Sequence, residues 1–239
     1  HKSIGNVISP IDVVKRSGAE IVRWWALATD WRNDVRVSDE ILVRVSEAYR
    51  KVRNTFRFLL GNLADFDPAK HAVEAEDLTR VDRAFLDFLR ARLQQMRGAC
   101  ERLEFHRLMD LLLDTCTVHL SAVYLDGAKD RLYTLAPDDP RRRSAQTVLW
   151  RALRDLCVAA SPALVFTAEE AWQHHSGLLA ECESVHLARW LDDPGAATGE
   201  CEWEVLLGMR DAVNSAIEPL RAAKTIATNQ EAAVTLGVR

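Results

Sequence analysis

Between residues 39 and 60 the apolar side chains fall at Ile41, Leu42, Val45, Tyr49, Val52, Phe56, Leu59 and Leu60, a spacing of three and four that only an α-helix turns into one stripe. Ser38 in front can cap such a helix, and Gly61-Asn62 can stop it. The period returns in Val81, Phe85, Leu86, Leu89, Leu93 and Met96 behind a capping Thr79, in a helix expected to reach Glu104. It returns again in Leu108, Leu111, Leu112, Cys116, His119, Leu120, Val123 and Tyr124, and a further helix is expected from Arg141 to about Ala160. Stripes joined by short connections must cover one another, so the pattern predicts an all-α, antiparallel helical bundle. Punctuation agrees, because Gly 10 and Pro 7 in 239 residues are too few for the many turns of a β-sandwich.

The flanks are read by the same rules. Ser9-Pro10 starts a helix that Gly18 stops, a second runs from Ala19 to about Thr29, and Asp30 to Val37 is an ordered connection. Asp65-Phe66-Asp67-Pro68 turns into a polar linker reaching about Asp77. The long span from Phe105 to about Leu135 is expected to break once, near Ser121 or Gly127. Thr167-Ala168-Glu169-Glu170 has the form of a capping box for a short helix through Trp172. Residues 177–205 carry seven acidic side chains against Arg189 alone and form a boundary segment. A last helix from Glu202 towards Lys224 should be kinked or shortened by Pro219, and Ala232 to Leu236 is the one stretch with a strand pattern, forming a short strand-containing C-terminal appendage. The expected organisation is therefore 1–37 as an entry segment, 38–176 as the bundle, and 177–239 as the acidic boundary, last helix and start of a truncated region. With His1 in place of Met, the chain reads as a piece of something larger.

Several function classes find no support. No apolar run approaches the roughly 18 residues that mark a membrane span, and the start lacks the charged, apolar and small-residue regions of a signal peptide. Cys100, Cys116, Cys157, Cys182 and Cys201 are odd in number with no C-x-x-C, which suits reduced thiols in a cytoplasmic protein. His174, His175, Cys182 and His186 match no zinc spacing, so no metal site is expected. Asp126, Lys129, Asp130 and Arg131 look like an acid and base constellation, but pairing across one helix turn explains them.

The net charge of −4 hides an uneven distribution. Residues 41–60 carry Arg44, Arg50, Lys51, Arg53 and Arg57 against Glu47, about +4, and at about 100° per residue Arg50, Arg53, Asn54 and Arg57 share one arc away from the apolar stripe. Guanidinium forks at helical spacing suit a run of phosphates, and Asn54 suits a base edge. Any amphipathic helix also has a solvated charged face, so the pattern is not specific alone. Trp31 with Arg32 and Asn33 offers an aromatic and donors for an unpaired base. Lys2-Ser3-Ile4-Gly5-Asn6 ahead of a helix has the make-up of a phosphate-contacting loop.

The stretch Lys2-Ser3-Ile4-Gly5-Asn6 resembles the end of the KMSKS loop of class I aminoacyl-tRNA synthetases, with His1 where those enzymes usually carry Ser. Gly18-Ala19-Glu20-Ile21-Val22-Arg23-Trp24 and Asp30-Trp31-Arg32-Asn33-Asp34-Val35 resemble the segments that follow it. Tyr49-Arg50-Lys51-Val52-Arg53-Asn54-Thr55-Phe56-Arg57-Phe58-Leu59-Leu60-Gly61-Asn62-Leu63 is similar to the isoleucine-specific members, and Phe166-Thr167-Ala168-Glu169-Glu170-Ala171-Trp172 and Ser184-Val185-His186-Leu187 follow in family order. The resemblance spans essentially the whole chain. It implies the anticodon-binding bundle of a cytoplasmic, monomeric ligase that uses ATP with Mg to form isoleucyl-adenylate and then charges its tRNA. On that footing Lys2 would stabilise transferring phosphoryl oxygens and Ser3 would support the ATP loop. Trp31, Arg32, Arg50, Arg53, Asn54 and Arg57 become candidate tRNA contacts. The resemblance also implies that this chain alone holds no cofactor and does not aminoacylate. A valine or leucine enzyme, or a helical scaffold for a protein partner, are the alternatives.

Overall fold

The computed structural model describes residues 8–190 and 202–237, and every described element is helical. The chain divides into two compact units, residues 1–196 and 197–239.

In the first unit α1 (Pro10–Ser17) and α2 (Ala19–Ala28) meet at Gly18, whose φ of 90° turns the chain between two helices without a linker. Helix α3 (Asp39–Asn62) starts where Ser38 accepts a hydrogen bond from the Ile41 amide, and α5 (Arg80–Glu101) starts where Thr79 accepts from Asp82. The supposed polar linker between them contains a helical turn, α4 (Pro68–His71), capped by Asp67, and a 3-10 turn at Ala75–Asp77.

From Phe105 to Thr134 the chain does not break. Helix α6 (Phe105–Asp114) widens into a π-helical segment, Thr115–Leu125, and narrows again to α7 (Asp126–Thr134). The expectation of a break at Ser121 or Gly127 fails, because the π-helical segment carries the chain through Ser121 and α7 continues it through Gly127 without stopping the helix. This continuous run of 30 residues also corrects the membrane expectation, since its most apolar window reaches a mean hydropathy of 1.3. Half of that window is buried, with Leu108, Met109, Leu112, Cys116 and Leu120 in the bundle core.

Helix α8 (Pro140–Ala160) is the centre. Fourteen of its 21 residues are buried, and it packs against α3, α5, α7 and α9 (Val165–Gln173), as a helix apolar on most sides must. Each fully buried Leu there contributes roughly 1.5 to 3 kcal/mol. Beyond α9, α10 (Ser176–Glu181) and a 3-10 turn at Val185–Leu187 complete the unit.

The expected capping box at Thr167 is wrong, because α9 begins at Val165 and Thr167 lies inside it. No local side chain caps this helix. Glu20 of α2 does so across 146 residues, its Oε1 accepting from the amides of Phe166 at 2.8 Å and Thr167 at 3.0 Å.

The described part of the second unit is α11 (Glu202–Ala222) and its tail. Pro219 sits inside α11 near its end, and the helix continues three residues past it to Ala222, so it does not stop at the proline. Residues 232–237 form no strand. A lone strand leaves its amides and carbonyls unpaired, and here the β-prone run Ala232 to Leu236 stays irregular.

Candidate nucleic-acid interface

The buried stripe of α3, formed by Leu42, Val52, Thr55, Phe56 and Leu59, fixes which face the helix turns outward. Arg50, Lys51, Asn54 and Arg57 are exposed on that face, and Arg53 is half-buried at its edge. Two grooves flank them. One, of about 200 Å³, runs between α3 and α9 and is lined by Arg53, Arg57, Glu170 and His174. The other, of about 540 Å³, runs between α3 and the π-helical segment and is lined by Lys51, Asn54, Phe58, Thr117, Ser121 and Lys129.

The arc drawn from the sequence is thus divided by geometry. Arg53 and Arg57 belong with α9, Asn54 with the π segment, and Arg50 lies between, its Nε donating to the Ser46 carbonyl of its own helix at 3.2 Å. Arg53 meets Glu170 at 3.6 Å, a loose, exposed ion pair. Among the described residues Arg57 and Lys51 form no ion pair. Such cations keep their full charge for an incoming anion, because no partner has to be displaced.

The second groove adds residues that the sequence arc left out. Lys129 sits 78 residues beyond Lys51 and joins it only through packing of the π segment on α3, so spacing along one helix gave no signal. Thr55 shows the contact directly, its hydroxyl lying 3.2 Å from that of Ser121.

Trp31 and Arg32 are placed differently. Trp31 is 74% exposed, in the connection between α2 and α3. Arg32 folds back on Asp30, with Nε and Nη2 bonded to its carboxylate at 2.8 and 3.1 Å. Asp30 in turn is held below the usual carboxylate range, chiefly by that Arg32 bond. Arg32 also lies within electrostatic reach of Glu104, which accepts from Arg102 and Arg107 at the α5–α6 turn. The hydrogen-bonding partner of Arg32 is thus Asp30, and Arg32 does not line either groove beside α3. Lys2 and Ser3 lie outside the described residues.

Other motifs resolve into structural roles. No three His, Cys, Asp or Glu side chains converge as a metal site among the described residues. His175 Nδ1 accepts from the Gly177 amide and starts α10, Cys182 Sγ donates to the Ser184 carbonyl, and His186 Nε2 lies 3.2 Å from the Val165 carbonyl. Lys129 does pair with Asp126 across one turn at 2.8 Å. For Arg131 the expected pairing across one helix turn is wrong. Arg131 reaches the fully buried Asp82 of α5 with both terminal nitrogens, at 2.7 and 2.8 Å, where the Tyr124 and Ser144 hydroxyls also donate. Burial alone would raise the Asp82 carboxyl, but Arg131 and the hydroxyls outweigh it and hold it below the usual range. Burial and the neighbouring carboxylate push the Tyr124 phenol well above its ordinary value, so it remains the donor.

A family described as "Anticodon-binding domain of tRNA ligase" matches residues 82–236. The isoleucine-tRNA ligase of Symbiobacterium thermophilum is 44% identical over 98% of this chain, and those of Geobacter sulfurreducens and Alkalilimnicola ehrlichii are 43% and 42% identical over 98%. The chain spans about a quarter of the length of these curated relatives, 25 to 26%. Among solved structures, the LeuRS-tRNA-LeuAMS ternary complex of Agrobacterium radiobacter K84 shares the fold, with a TM-score of 0.55 and 19% identity over 80% of this chain and 22% of that one. The chain belongs to the anticodon-binding domain family of tRNA ligases. The three curated relatives named above, each matching it along nearly its whole length, are isoleucine-tRNA ligases.

Proposed function

We propose that this chain is the tRNA-binding helical region of a cytoplasmic isoleucine-tRNA ligase, and that α3 carries its contacts to the anticodon stem and loop. The observation that carries the reading is the basic face of α3: Arg50, Lys51 and Arg57 turned to solvent and Arg53 half-buried at its edge, between two grooves, on a chain whose net charge is −4. Arg50, Arg53 and Arg57 meet backbone phosphates, and Asn54, with Lys51 and Lys129 beside it, faces the loop bases from the wider groove. Trp31 and Arg32 form a second, separate contact near the α5–α6 turn.

In the whole ligase, ATP with Mg and isoleucine are the substrates of adenylate formation, and Lys2 and Ser3 serve the ATP phosphates. Residues 1–37 link that loop to the bundle, 38–176 form the RNA-binding body, and 177–239 comprise the acidic boundary, the last helix and the start of a further region. The isoleucine assignment is supported by the identity to isoleucine-tRNA ligases, whereas the likeness to the LeuRS complex speaks for the fold alone. The full-length protein, offered isoleucine, valine and leucine in turn with the matching tRNAs, is expected to charge only isoleucine efficiently. Preferential charging of valine or leucine would replace the assignment.

A further inference from the structure

Helix α2 touches the molecule at a place that its own sequence does not announce. Glu20 is 7% exposed and caps α9 through the amides of Phe166 and Thr167. One turn later on the same face, Arg23 donates to the carbonyls of Ala163 and Pro162, both at 2.9 Å, in the turn that joins α8 to α9. An anion at amides and a cation at carbonyls are each placed where helix-end charges favour them. The two contacts fix both sides of one corner, and α9 has no cap of its own to hold it otherwise.

What α9 carries makes that corner matter. Thr167, whose amide Glu20 holds, places its hydroxyl 2.9 Å from the Tyr49 hydroxyl on α3. One turn on, Glu170 meets Arg53, and after another turn His174 closes the groove beside Arg57. The register of α9 against α3, and so the shape of the basic groove, begins at the Glu20 carboxylate. The other oxygen, Oε2, is buried without a hydrogen-bond partner.

We infer that Glu20 is a positioning residue: through α9 it sets the groove that faces Arg53 and Arg57, and so couples the α1–α2 entry segment to the basic face of α3. This rests on the reading of that face as the RNA contact, but its test does not. In the 239-residue chain, E20A is expected to speed hydrogen exchange at the Phe166 and Thr167 amides about tenfold, the scale of a lost helix cap. It should also abolish the energetic coupling between Y49F and T167V in a double-mutant cycle. E20Q, which keeps an acceptor oxygen, should restore most of both. On tRNA, E20A should weaken binding severalfold without changing the salt dependence, since no phosphate contact is removed. Unchanged exchange at the two amides, or an undiminished Tyr49–Thr167 coupling in E20A, would overturn the inference. If R53A and R57A leave tRNA binding intact, the RNA reading fails while exchange and coupling still decide the role of Glu20.

Discussion

Arginine is used in two opposite ways in this chain. At the α5–α7–α8 junction Arg131 is locked onto a fully buried carboxylate, with Tyr124 and Ser144 completing the set. On α3 Arg50 and Arg57 face solvent, and the one ion pair of the α3 arginines among the described residues, Arg53 with Glu170, is long at 3.6 Å. The first arrangement is costly to break and has no capacity left for a ligand. The second contributes little to the fold and leaves its charge available. Structure and binding are thus assigned to arginines that composition counts alike.

The comparison breaks most visibly at Asp82. D82N removes the counter-charge of Arg131 in a buried site, and such changes cost about 3 to 5 kcal/mol, so the urea midpoint should fall sharply. Next in size is Y124F, which deletes one charge-assisted hydrogen bond and should cost about 1.5 to 3 kcal/mol. Acid sharpens the same point. The folded Asp82 carboxyl lies below its unfolded value of 3.8, so its contribution is complete above that value and is lost as the pH falls through the lower, folded one. The loss of stability as the pH falls below about 4 should therefore be shallower in D82N than in the parent chain. Smallest of all, R50A and R57A should change stability by no more than about 0.5 kcal/mol. A larger loss in either would mean that the α3 face is structural after all.

What could be read in advance divides along a similar line. Caps at Ser38 and Thr79, the turn at Gly18 and the stripe of α3 are decided by residues within a few positions, and the helices they imply stand in the structure. Glu20 capping α9, Arg131 reaching Asp82 and Lys129 joining Lys51 span 49 to 147 residues, and no local pattern encodes them. The box at Thr167 misled for this reason: it has the right residues, but a carboxylate from α2 starts the helix earlier. The π-helical segment was hidden because its apolar residues keep nearly α-helical spacing. Of the candidate interface, the basic arc was legible, while its division between two grooves depends on which helices pack beside α3.

The central claim is that Arg50, Arg53 and Arg57 bind phosphates. It is tested most directly by the salt dependence of tRNA binding to the 239-residue chain and to its R50A/R53A/R57A variant. Each lost phosphate contact should lower the slope of log affinity against log salt by about 0.7 to 0.9, so the triple variant should bind more weakly with a slope reduced by about 2 to 3. An equal slope in the two proteins would contradict the account and move the RNA to another face.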